Sequence, residues 1–142
     1  MQKSRSSSFW NSVARYIFTV LLVFFTGFTS MTAQANDSEQ KYPNIVTVKV
    51  QRSGVDTFDF DVTVSSPYDT PQRYADAIRV MTRDGQVFGE RKLLHDHADE
   101  QPFTRDLYNV KIPRGVQFVV IQARDQKYGY GGMTYEITLP AR

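Results

Sequence analysis

Both histidines of the 142-residue chain lie in one short run, His95-Asp96-His97-Ala98-Asp99-Glu100. In an extended segment residues i and i+2 project to one side. Two imidazoles on one side, with Glu100 (or Asp99) as a third ligand, could hold Zn²⁺ or Cu²⁺. The same run also reads as a solvated acidic loop whose imidazoles bond the backbone. A second candidate is rich in tyrosine: Tyr68 in Ser66-Pro67-Tyr68-Asp69-Thr70-Pro71, and Tyr128 and Tyr130 in Asp125-Gln126-Lys127-Tyr128-Gly129-Tyr130-Gly131-Gly132. Tyrosine offers a large contact area with two side-chain torsions, and glycine lets a loop adapt, a mixture that binding loops use. These three tyrosines are therefore candidates for contact with a ligand or partner. The competing role is to plug one end of the fold.

Other chemistries find no support. Gly129 to Gly132 runs into Met133, not into the Lys-Ser/Thr of a phosphate loop. No G-x-S-x-G elbow occurs, and Ser38, Ser53, Ser65 and Ser66 stand in no nucleophile context. The acids at 96, 99 and 100 are those of any acidic loop and do not by themselves indicate hydrolysis. With no cysteine in the chain, disulfides, thiolate metal sites, thiol catalysis and a lipid-modified cysteine are all excluded. The residues thus point to a non-enzymatic protein with no cofactor unless His95 and His97 hold a metal.

Residues 1–35 have the organisation of a secretory signal peptide. Lys3, Arg5 and Arg15 form a basic region, and residues 16–28 are a mostly apolar run of 13. Such a run is too short for a hydrocarbon core that needs about 20 helical residues, and it suits an export signal. Ala33-Gln34-Ala35 supplies the small residues of a cleavage site. Removing the leader takes Lys+Arg from 17 to 14 and leaves Asp+Glu at 15, so the formal charge of +2 becomes −1. The net basicity belongs to the address, and a nucleic-acid partner loses its only bulk support. The expected product is periplasmic or extracellular and keeps no membrane span.

Residues 36–43 read as a loose polar segment, and 44–142 as one domain, enough for a packed core. Three stretches alternate with period two, as half-buried strands do: Val46-Val48-Val50, Phe58-Phe60-Val62-Val64 and Met133-Tyr135-Ile137-Leu139. Four further strands are expected at 74–82, 86–94, 103–110 and 116–124. The first of these places Tyr74, Ile78 and Val80 on one face, and Asp84-Gly85 makes its turn into the second. Gly89 marks an edge or bulge. Val119, Ile121 and Ala123 face inward, since the other phase would bury Gln122 and Arg124. Arg105 is expected to pair with Asp76 or Asp125.

Seven short strands separated by turns predict an all-β, antiparallel sandwich. Leu107-x-x-Val110-x-Ile112-Pro113-Arg114-Gly115-Val116-x-Phe118 resembles the corner before the sixth strand of fibronectin type III modules, with Phe118 or Val119 where those modules carry a tyrosine. The resemblance implies an immunoglobulin-like sandwich. The segment His95-x-His97-x-x-Glu100-Gln101-Pro102-Phe103-Thr104-Arg105, with Ser65-Ser66-Pro67-Tyr68 and Ala123-Arg124-Asp125, resembles a set of small exported bacterial proteins without assigned activity. That resemblance implies export and supplies no catalytic residues. If each connection reverses the chain, loops 66–71, 95–102 and 125–132 share one end. The function expected there is binding of a protein, glycan or small ligand, with divalent-metal binding as the alternative. Mass spectrometry of the exported protein is expected to find Asn36 as its first residue; a retained leader would contradict the cleavage site.

Overall fold

The computed structural model describes residues 40–142. The expected signal peptide, and residues 36–39 of the segment after it, lie outside the described residues. Among the described residues eight strands form: β1 (Asn44–Gly54), β2 (Thr57–Ser65), β3 (Ala75–Met81), β4 (Val87–Lys92), β5 (Phe103–Lys111), β6 (Phe118–Asp125), β7 (Gly129–Tyr130) and β8 (Tyr135–Thr138). Each expected segment overlaps one, and the two-residue β7 is additional. All pairings are antiparallel. One sheet has the order β1-β2-β5 and the other β4-β3-β6-β7. Strand β8 continues along β6 beyond β7: Arg124 faces Tyr130, and Phe118 faces Thr138.

The two sheets bury a common core. Phe58, Phe60, Val62 and Val64 of β2 are fully buried, as their alternation requires, and meet Ile78, Val80, Val119, Ile121 and Ala123 of the other sheet. Elsewhere bulges interrupt the period. In β1 the pairing steps from Ile45 to Thr47. Ile45 is buried with Val48, while Val46 is half exposed; the expected Val46-Val48-Val50 face is therefore broken at its start. In β3 the register steps from Ala75 to Ala77. The bulge at Asp76 buries Ala75 instead of Tyr74, so Tyr74 does not share the inward face of Ile78 and Val80. Met133, expected inward, is exposed, because β8 begins only at Tyr135.

Turns follow local chemistry. Gly85, with φ of 94°, closes the β3–β4 hairpin through its N–H to the Thr82 carbonyl. The β5 bulge places Asn109 at φ 59°, a conformation Asn tolerates, and the Asn109 N–H donates to Asp59 Oδ1 at 2.8 Å. Along the side of the sandwich, edge strand β4 approaches edge strand β5. A side chain at Gly89 would meet Leu107 and Val110 at 3.2 Å. Arg91 of β4 donates to the Asp106 carbonyl of β5 at 2.6 Å and pairs with the Asp106 carboxylate.

The corner between β5 and β6 lacks the tyrosine that its pattern calls for, and an arginine bonds its backbone. Arg142 donates to the carbonyls of Ile112 (3.0 Å), Pro113 (2.8 Å) and Val116 (3.3 Å) and to Asp56 Oδ1 (2.6 Å). Val119, not Phe118, is the residue buried beyond the corner. Charge-assisted hydrogen bonds are worth about 1.5–3 kcal/mol. Arg142→Ala is expected to destabilise the domain by about 2 kcal/mol in urea unfolding; an unchanged midpoint would show that the corner holds without it.

Candidate functional site

Loops 66–74, 93–102 and 126–134 meet at one end of the sandwich, and two buried carboxylates join them. Asp69 is 5% exposed. Its Oδ1 accepts the Ala75 N–H and its Oδ2 the His97 N–H, each at 3.1 Å. The first bond closes its own loop and the second fastens the next one. Gln101 reinforces this seam: its Oε1 accepts the Ser66 N–H at 2.7 Å, and its Nε2 reaches Ser66 Oγ and the His97 carbonyl. Burial raises the Asp69 carboxyl above the ordinary carboxylate range, against the lowering effect of its donors.

Asp125, at the end of β6, is fully buried. Its Oδ1 accepts the N–H groups of Lys127 (2.9 Å) and Tyr128 (2.7 Å), and its Oδ2 accepts Arg73 Nε at 3.1 Å. An aspartate binding amides two and three residues onward builds a turn, and Gly129 at φ 84° lets the chain reverse into β7. Arg73 also donates to the Lys41 carbonyl at 2.7 Å and lies over the rings of Tyr68 (4.2 Å) and Tyr128 (4.8 Å). Residues 40–43, expected as a loose segment, are docked here. Gln40 bonds the Ser65 carbonyl, and a side chain at Gly131 would strike the Tyr42 ring. Gly132, at φ 77°, packs equally closely on the Pro43 carbonyl.

The three expected tyrosines take different places. Tyr68 is half-buried beneath Arg73, and its hydroxyl is buried without a hydrogen-bond partner among the described residues. Burial, then Asp125, pushes that hydroxyl's pKa upward. Tyr128 is 41% exposed, stands edge-on to Tyr42, and has Lys41 and Lys127 within 4.7 and 5.1 Å of its ring centre. Tyr130 leaves the loop end and lies on the outer face of its sheet, donating to Glu90 at 2.5 Å.

The histidine loop is arranged differently from a convergent ligand set. His97 is 3% exposed and stacks on Phe103 at 4.0 Å. Its Nδ1 is buried without a hydrogen-bond partner among the described residues, 4.0 Å from Asp69 Oδ2. His95 is exposed, 4.8 Å from the His97 ring. Glu100, at the end of a 3-10 turn (Ala98–Glu100), pairs with Arg105 of β5 at 3.1 Å. Among the described residues no group of three His, Cys, Asp or Glu is placed to hold a metal ion. The expected pairing of Arg105 with Asp76 or Asp125 is also corrected: those acids pair with Arg124 and Arg73.

Several anchoring residues escaped the sequence reading: Asp69, Arg73, Gln101 and Tyr42. Asp125 carried a usable signal, an acid just ahead of a glycine-rich turn. Arg73 carried none, since the Lys41 carbonyl and the Asp125 carboxylate that its guanidinium bonds are 32 and 52 residues away.

No protein-family model matches the chain. A protein of Halomicrobium mukohataei described as "Putative lipoprotein" is 35% identical over 99 residues, covering 70% of this chain and 48% of that protein. The chain thus spans about half the length of this relative. A crystal structure of a hypothetical protein from Pyrococcus horikoshii OT3 aligns over 73% of this chain and 92% of its own, at 16% identity and a TM-score of 0.42, too low to carry an assignment. Among the described residues no helix is long and apolar enough to cross a membrane.

His97 makes the loop end sensitive to acid. Burial, then the charges of Arg105 and His95, hold its pKa below the ordinary 6.5, against the pull of Glu100 and Asp69. A depressed folded pKa means that, just below pH 6.5, the unfolded chain takes up the proton first, so stability falls as pH falls. Asp69, with its raised pKa, has the opposite slope at lower pH. The melting temperature is expected to drop by a few degrees between pH 7 and pH 5 and to drop less in His97→Phe, which keeps the stack on Phe103. Equal slopes in the two proteins would remove His97 as the cause.

Proposed function

We propose that the chain is an exported, non-enzymatic, immunoglobulin-like module with fibronectin type III-like connectivity, which binds a protein or glycan partner through the loop end. The sheet orders β1-β2-β5 and β4-β3-β6-β7 support that connectivity. Export is supported by the basic and apolar organisation of residues 1–35 and by the description of the Halomicrobium mukohataei relative as a lipoprotein. The 142 residues contain no cysteine to which a lipid could be attached.

The observation that carries the binding role is Tyr128. It stands partly exposed on a turn fixed by a buried aspartate, between Lys41 and Lys127. A rigid, aromatic, cation-flanked contact loses little conformational freedom on association. Tyr68 belongs to the support of that surface, with Arg73 between the two rings. A photo-crosslinking residue at position 128 is expected to give a discrete adduct in the producing cell that the same residue at position 108, an exposed sheet tyrosine, does not give. No adduct from 128, or the same adduct from both positions, would overturn the loop-end assignment.

A further inference from the structure

The outer face of the β4-β3-β6-β7 sheet carries an open cleft of 540 Å³ whose lining differs from the loop end in charge and shape. Its floor follows from register. Ala77 of β3 lies directly between Lys92 of β4 and Arg124 of β6, and Arg124 in turn faces Tyr130 of β7. Directly opposed residues share a face. This cross-strand row therefore runs long, methyl, long, aromatic, and the methyl group leaves a depression reaching down to the sheet. Replacing that methyl by any larger group would fill it.

The walls are held by their own bonds. Tyr130 reaches across the sheet to Glu90 at 2.5 Å, with the Arg79 guanidinium 3.7 Å from its ring centre and bonded in turn to Gln122. Opposite, Arg124 donates to Asp76 Oδ2 at 2.5 Å. Asp76 Oδ1 is buried with no hydrogen-bond partner among the described residues, an acceptor unmatched in a structure that satisfies its other buried carboxylates. Leu94, 83% exposed, stands at the rim.

From this geometry we infer that the cleft is a binding site for a neutral saccharide. The lining contains two carboxylates, Asp76 and Glu90, and two cations, Lys92 and Arg124. An anion entering it meets both acids and a cation meets both bases, so neither sign gains from the whole site. A polyol meets no such conflict: its hydroxyls donate to carboxylates and accept from ammonium and guanidinium groups. Its C–H face finds the rings of Tyr74 and Tyr130, which combine an apolar body with a polar tip, above the nearly buried Ala77 methyl. The volume lies within the range of about 300–1,000 Å³ found for small-ligand sites, and the open sides admit a chain longer than one residue. The cleft borders the loop end through Tyr74, Leu93 and Leu94, but Tyr128 does not line it.

The test is calorimetric titration of the exported chain with neutral hexasaccharides (malto-, cello-, manno- and N-acetylchito-hexaose), with hexagalacturonate and the deacetylated chitosan hexamer as charged controls. At least one neutral oligosaccharide is expected to bind with a Kd below about 1 mM. Ala77→Leu is expected to weaken it at least about tenfold by filling the floor. Glu90→Ala, at an exposed position that leaves the core untouched, should weaken it similarly and keeps the test valid if Ala77→Leu does not fold. Tyr128→Ala should change it less than about twofold. Absence of binding by every neutral probe, binding confined to a charged control, or binding that survives both cleft variants would overturn the proposal. None of these outcomes bears on cross-links from position 128.

Discussion

The loop end of this protein depends on the need to satisfy one buried negative charge. The Asp125 carboxylate has no contact with solvent, and a bare carboxylate in that position would be prohibitively costly. Its two oxygens therefore demand donors, and the donors they receive determine the surroundings. Two come from the following turn, which sets the direction in which Tyr128 projects. The third is Arg73, whose guanidinium then has only a narrow space between Tyr68, Tyr128 and the Lys41 carbonyl. Asp69 applies the same logic between the other two loops, through the N–H groups of Ala75 and His97. Loop positions that would be adjustable in isolation are thereby tied to the ends of strands.

This arrangement explains why some parts of the molecule could be read from its sequence and others could not. Strand β2 was legible because its residues obey one period from Phe58 to Val64 and a single phase buries both phenylalanines and both valines. The phase of β6 was legible for a similar reason, since inverting it would place Gln122 and Arg124 in the core. Strands β1 and β3 misled by one residue each, because a bulge changes the phase without changing the composition. That the three loops would gather was readable from connectivity alone. Which of their side chains would lie inside was not: His97 is buried because Phe103 offers a ring to stack on and Asp69 takes its backbone amide, and neither contact leaves a local trace in the sequence.

The glycines of the Tyr-Gly-Tyr-Gly-Gly run acquire a specific meaning in this setting. Gly131 and Gly132 are the seats of Tyr42 and Pro43, residues some 90 positions earlier in the chain. Because they lack side chains, the segment entering the sandwich can lie across the turn. Lys41 is thereby placed against Tyr128. A composition that reads as flexibility serves here as room for a close approach.

The seam between β4 and β5 has a consequence beyond the single molecule. A sandwich of two separate sheets ends in strands whose backbone groups are open to pairing with any other extended chain. At this seam the Arg91 side chain already occupies the Asp106 carbonyl of β5 and is held there by the Asp106 carboxylate, while Gly89 allows the two edges to close on each other. A second molecule seeking to add a strand at that point would have to displace an ion pair before gaining its first hydrogen bond. The chain has no cysteine and so no disulfide, and at this seam Arg91 already holds an edge carbonyl that an added strand would otherwise pair with.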